Sequence, residues 1–117
     1  MKIRTHSHKH ADAVIPIEAG AEWSELLDVI SSVSDEDLIE RFESRARPGK
    51  SISESINSLF RERLVAKGWL DEAPIFQDSA YRDKRWRLDF AKGLIAVEVA
   101  FNHGEAIAWN LLKPVLA

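Results

Sequence analysis

The chain has 117 residues, 45% of them hydrophobic and 30% charged, with a formal net charge of −3 and no cysteine. This is the composition of an ordinary soluble domain, long enough to bury a core without cross-links, and a single domain over residues 1–117 is the expectation. Lack of cysteine excludes disulfides and thiolate metal centres and points to a reducing, cytoplasmic setting. No apolar run approaches a membrane span, and the opening "MKIRTHSHKH" lacks the apolar centre of a signal peptide. The acidic balance disfavours a protein whose whole surface grips a polyanion. Locally, however, Tyr81 to Lys92 carries five basic residues (Arg82, Lys84, Arg85, Arg87, Lys92) against two acids, Asp83 and Asp89.

In chain order, "KIRTHSHKH" alternates Ile3, Thr5 and Ser7 with Arg4, His6, His8 and His10, which predicts an N-terminal strand. "GAEWSELLDVISSV" spaces Trp23, Leu26, Leu27, Ile30 and Val33 as one face of a helix. Ser34 and Asp37 form a helix-start box ahead of Leu38, Ile39 and Phe42, and "ARPGK" (46–50) breaks the helix that follows. Ser51 and Glu54 make a second such box, opening a helix with Ile52, Ile56, Leu59, Phe60 and Leu64 inward and Gly68 as its C-terminal cap. "WLDEAPIF" (69–76) reads as extended or irregular and "QDSAYRDK" as a polar loop. Two apolar strands and a last helix, stopped or kinked at Pro114, complete the order. Helices first, then a hairpin, then a helix, predict an α/β or α+β fold: a helical N-terminal half on a small mixed sheet. The sheet is small for so many helices, so further strands or a partner chain are expected to complete it.

The hairpin carries the chemistry. With Lys92 and Gly93 as a two-residue turn, residue 91 pairs with 94, 89 with 96 and 87 with 98. Trp86, Leu88 and Phe90 then share one face with Ile95, Val97, Val99 and Phe101. Asp89 shares the other with Ala96, Glu98 and Ala100. Asp89 and Glu98 become diagonal neighbours, their Cβ atoms about 7 Å apart. Two acids at that range repel unless a divalent cation lies between them, and Mg²⁺ takes one or two carboxylates together with waters and phosphate oxygens. The competing reading needs no metal: Arg87, opposite Glu98 in this register, neutralises it, and Asp89 caps the turn.

"LDF" at 88–90, "VEVAFNHGEAIAWNLLKP" at 97–114 and the nine-residue step from Asp89 to Glu98 resemble the type II restriction endonucleases related to BglII and BstYI, of the PD-(D/E)xK nuclease superfamily. "ARPGKS", "SINSLF" and "KGW" are similar to the helical half that precedes the catalytic hairpin of that family. The resemblance implies a restriction-endonuclease-like core and Mg²⁺-dependent hydrolysis of duplex DNA by a homodimer, at a palindromic site with a GATC centre. It makes Asp89 and Glu98 the metal-binding acids. The superfamily usually carries a polar residue two places after the glutamate, where this chain has Ala100; Glu105, His103 and Lys92 are the candidates to replace it. Family members are longer, so the domain is expected to be incomplete at its C-terminus. A catalytically inactive DNA-binding or dimerisation module on the same fold is the alternative, and a purely structural α+β interaction domain a third.

Glu105 also suits a capping role with Asn102 at the start of the last helix. Arg82, Lys84, Arg85 and Arg87 are the expected phosphate contacts, with Arg45, Arg47 and Lys50 a second basic cluster. His6, His8 and His10 on one strand face could take Zn²⁺ or Ni²⁺ opportunistically, but an edge-strand position without a native metal is the better reading. Trp23, Trp69, Trp86 and Trp109 sit in apolar patterns that favour core packing over base stacking.

Overall fold

A computed structural model describes residues 1–44, 51–76 and 86–101. The chain divides into two compact units, Met1–Lys67 and Gly68–Ala117. The first is helical: α1 (Ala11–Glu18), α2 (Gly20–Ser32), α3 (Asp35–Glu43) and α4 (Ser53–Ala66). The second holds β1 (Leu70–Pro74), β2 (Arg87–Lys92) and β3 (Ile95–Val97), an antiparallel sheet in the order β1-β2-β3. The class is α+β. The break at "ARPGK", the polar loop and the last helix predicted from sequence lie outside the described residues.

In the helical unit α4 packs against α2 and α3, and α1 against α2. Leu26 and Val29 of α2, Val33 after it, Leu38 of α3, and Leu59, Phe60 and Leu64 of α4 form the buried layer. Each such side chain contributes about 1.5–3 kcal/mol by leaving water. Val29 belongs to this layer although the sequence stripe passed over it, while Ile39 and Ile52 are exposed. Two arginines pin the helices. Arg63 donates to Ser32 Oγ (3.0 Å) and Asp37 Oδ2 (2.9 Å). Arg41 donates to Ser58 Oγ at 3.0 Å and pairs with Glu62.

The Ser34–Asp37 box forms in full: Asp37 N–H donates to Ser34 Oγ and Ser34 N–H to the Asp37 carboxylate. The Ser51–Glu54 box does not. Helix α4 begins at Ser53 with Ile52 as its N-cap, and Ser51 Oγ accepts instead from the Ser53 N–H. Ile52 is already in the right-handed helical region, so Ser51 stands one residue too early to cap the first turn. At the other end Gly68 has φ 85°, the left-handed conformation that ends helices at least cost.

The expected N-terminal strand is absent: residues 1–7 have no regular structure, and α1 follows directly. Among the described residues no strand pairs with the segment. Its terminal ammonium donates to the Val33 carbonyl, and positive φ at Lys9 (49°) and His10 (60°) ends any extended run. His6, His8 and His10 therefore do not share a strand face. Helix α1 itself was not legible, because Pro16 lies inside it and none of its residues is buried.

In the sheet unit "WLDEAPIF" supplies a third strand. β1 pairs β2 as Leu70↔Ala91, Asp71↔Phe90, Ala73↔Leu88 and Pro74↔Arg87. Trp69, Ala73, Ile75, Leu88 and Phe90 are buried on one side, and Phe76 meets Trp86 edge to face, ring centroids 5.4 Å apart.

Two predictions follow from packing. The Arg63 guanidinium, with Ser34, holds Asp37 below its ordinary pKa of 3.8. A depressed folded value means the contribution is complete above the ordinary value and is lost as pH falls through the folded one. Urea midpoints measured on acidification below pH 3.8 should fall further for the wild type than for Asp37→Asn. Separately, Glu72 has φ 48° within β1, a conformation costly for a residue with a Cβ. Glu72→Gly should be neutral or stabilising, whereas Glu72→Val should cost about 1–3 kcal/mol in chemical denaturation.

Candidate active site

The β2–β3 pairing is Phe90↔Val97, Ala91↔Ala96 and Lys92↔Ile95, so the two turn residues are Gly93 and Leu94, not Lys92 and Gly93. Gly93 has φ 55° and Leu94 has no positive φ, which is the pattern of a II′ hairpin turn with Gly first. The expected register is thus displaced by two residues. Because strand side chains alternate with period two, that displacement changes every partner and leaves every face as it was.

The corrected register, carried one step past Phe90↔Val97, sets Glu98 directly opposite Asp89 rather than diagonal to it. The main-chain ladder stops at Val97, and side chains take over. The Val99 N–H donates to Asp89 Oδ2 at 2.7 Å, and the Asp89 N–H donates to Glu98 Oε2 at 3.4 Å. Each carboxylate thus closes on the main chain of the other's strand. This crossed arrangement holds the two acids side by side on the half-buried face of the hairpin.

Like charges on directly opposite strand positions repel. An ionised carboxylate has about four acceptor positions, more than a single N–H bond fills. The donor set, two carboxylates on one face, suits an octahedral Mg²⁺ that keeps waters or takes phosphate oxygens. Among the described residues no group of three or more histidine, cysteine, aspartate or glutamate side chains is placed to share an ion.

Arg87 does not stand opposite Glu98. Its ion pair is with Glu72, Nη1 to Oε2 at 3.6 Å. The Arg87 Nε is buried without an acceptor, which costs about 1–3 kcal/mol for an unsatisfied donor. Lys92 lies on the other face by alternation, and its Nζ lies 3.8 Å from the position a Cβ on Gly68 would take; it cannot stand in for a polar group at position 100. Glu105, His103, Arg82, Lys84 and Arg85 lie outside the described residues, as do Arg45, Arg47, Lys50 and Trp109.

Sequence reading missed Glu72. The pairs Asp71↔Phe90 and Ala73↔Leu88 bracket it and set it opposite Asp89, the middle of a row Glu72–Asp89–Glu98 across three strands. An acid in the extended "WLDEAPIF" was the available signal, but its meaning depends on a β1–β2 register that no local pattern fixes.

A cavity of about 450 Å³ in the helical unit is lined by His6, Asp12, Pro16 and Trp23 among others, but its one carboxylate, Asp12, is bonded to Ser7. No helix among the described residues is long and apolar enough to cross a membrane.

No curated protein and no solved structure matches the chain. The family of restriction endonucleases BglII/BglIII does, over residues 3–117, a span that contains both acids and the hairpin between them. That match covers nearly the whole sequence, and its nuclease chemistry agrees with paired carboxylates on a hairpin: the chain belongs to the BglII-type restriction endonuclease family.

Proposed function

We propose that this chain is a Mg²⁺-dependent endonuclease that hydrolyses phosphodiester bonds of duplex DNA, with Asp89 and Glu98 as its metal-binding acids. The observation that carries the reading is the crossed pair: two acids held opposite each other by the Val99 and Asp89 N–H groups. Holding like charges together without a cation is unfavourable, and a divalent ion reverses that sign.

Hydrolysis adds water across the ester. The water oxygen bonds to phosphorus, one P–O ester bond breaks, and the departing oxygen keeps the electron pair and takes up a proton. The water's other proton passes to solvent. A bound Mg²⁺ supplies a lowered water pKa and stabilises charge on the phosphate oxygens. The protein's part is to fix the position of that charge. The carboxylates are immobilised by main-chain hydrogen bonds, so little reorganisation is needed as substrate enters. Arg82, Lys84 and Arg85, just before β2, are assigned to DNA backbone phosphates. The family resemblance supports action as a homodimer on a palindromic site with a GATC centre; Glu105 is the candidate for the catalytic work of the polar group that Ala100 lacks.

Ala100 favours a second reading, a DNA-binding or dimerisation module without catalysis, because a methyl group can neither orient water nor hold a proton. The two readings part on one experiment. In Mg²⁺ the wild-type chain should nick or linearise a mixed-sequence plasmid, and Asp89→Asn or Glu98→Gln should slow this by about 10²–10³-fold. Retention of DNA with no strand scission in either Mg²⁺ or Mn²⁺ would favour the silent module, and cleavage unchanged by Asp89→Asn would defeat the metal assignment.

A second prediction concerns binding. If Arg82, Lys84 and Arg85 contact phosphates, the logarithm of DNA affinity should fall linearly with the logarithm of salt concentration, and each Ala substitution should lower the slope by about 0.9. An unchanged slope in all three variants would remove them from the interface.

A further inference from the structure

The first turns of α4 border a cavity of about 390 Å³, lined by Arg41 of α3 and by Glu54, Ser55, Asn57, Ser58 and Arg61 of α4. Every lining residue is polar or charged, and one of them is a buried hydroxyl with nothing to bond. Ser55 is 1% exposed, and its Oγ has no hydrogen-bond partner. A helical serine usually finds an outlet on its own backbone. Ser32 and Ser44 do so, each donating to the carbonyl three residues before it, Val29 and Arg41. Ser55 does not, and a ligand in the cavity would supply the missing partner.

We propose that this cavity takes a phosphate of the DNA backbone, giving the helical unit an anchoring contact of its own. The assignment rests on the DNA binding proposed above and not on cleavage. The groups gathered here are those an oxyanion needs. Ser55 Oγ has a proton to give, and so has Ser58 Oγ, which accepts from Arg41 Nη1 at 3.0 Å. The bonds of Arg41 to Ser58 and Glu62 occupy two of the five N–H donors of a guanidinium. Arg61, exposed, adds positive charge to the wall whatever else it bonds.

The backbone favours the same ligand. Ser55 is the third residue of α4, ahead of the first helical bond, Ile56 N–H to the Ile52 carbonyl. The free N–H groups and the positive end of a helix dipole lie in such a first turn. The Asn57 Oδ1 is buried without a donor, and rotation of that amide presents Nδ2 to an anion instead. Glu54 is the one acid on the wall, and it is exposed.

The test is binding of a short duplex followed by fluorescence anisotropy in EDTA, on the wild type and on Asp89→Asn. Ser55→Ala should weaken binding about tenfold in both backgrounds. Its urea midpoint should be unchanged or higher, because a buried hydroxyl without a partner has gone. In ¹H–¹⁵N spectra the duplex should shift the Ser55 amide, with inorganic phosphate as the control for the source of the anion. Unchanged duplex affinity in Ser55→Ala overturns the proposal. So does a loss of affinity together with a lower urea midpoint, which would make Ser55 structural. A Ser55 amide that the duplex leaves in place overturns it as well, and if inorganic phosphate alone moves that amide the cavity is a small-anion site. A chain that leaves plasmid intact in Mg²⁺ yet loses duplex affinity in Ser55→Ala defeats the nuclease reading and keeps this contact; an active chain with unaltered affinity in Ser55→Ala defeats this contact alone.

Discussion

Two crossed hydrogen bonds, Val99 N–H to Asp89 and Asp89 N–H to Glu98, set the geometry on which the site depends. They take over where the β2–β3 ladder stops at Val97, so the strand end is held by carboxylates instead of carbonyls. The arrangement immobilises two acids at the price of their mutual repulsion. The two acids satisfy main-chain N–H groups at the strand end, while their like charges repel. The cost is understandable if a cation completes the site.

The rest of the sheet unit serves that placement. Trp69, Ala73, Ile75, Leu88 and Phe90 are buried on one side and fix which way the β2 side chains alternate. Asp89, between Leu88 and Phe90, is directed to the opposite face by that burial alone. Gly93 supplies the positive φ that sets the turn, and the turn sets which residue faces Asp89. Glu72, in a strained left-handed conformation opposite Asp89, holds Arg87 loosely beside the acids. Strain of this kind is commonly retained where it positions a functional group.

What was legible from sequence follows what local chemistry can encode. The faces of the hairpin were readable because apolar alternation over Leu88–Phe90 and Ile95–Val97 is a period-two signal. The register was not: both Lys92–Gly93 and Gly93–Leu94 contain the glycine a tight turn needs, and leucine is an unusual turn residue. The error was an even number of residues, so Asp89 and Glu98 stayed on one face, while the supposed Arg87–Glu98 pair did not form. The Ser34–Asp37 box and the Gly68 cap formed as read, because both are set within a few residues. The Ser51 box and the N-terminal strand failed because each depended on context: where α4 begins, and whether a partner strand exists for residues 2–10. Glu72 was invisible for the same reason, its meaning lying in strand pairing.

The family match places the chain among the BglII-type restriction endonucleases, and the proposal adds that the paired acids hold its metal. The central claim is that Asp89 and Glu98 bind one divalent ion between them. It is tested most directly by diffraction from crystals soaked in Mn²⁺, at a wavelength where manganese scatters anomalously. The account predicts a single strong anomalous peak within about 2.3 Å of an oxygen from each carboxylate. Density that leaves the two acids bare, or a peak only at the N-terminal histidines, would contradict it.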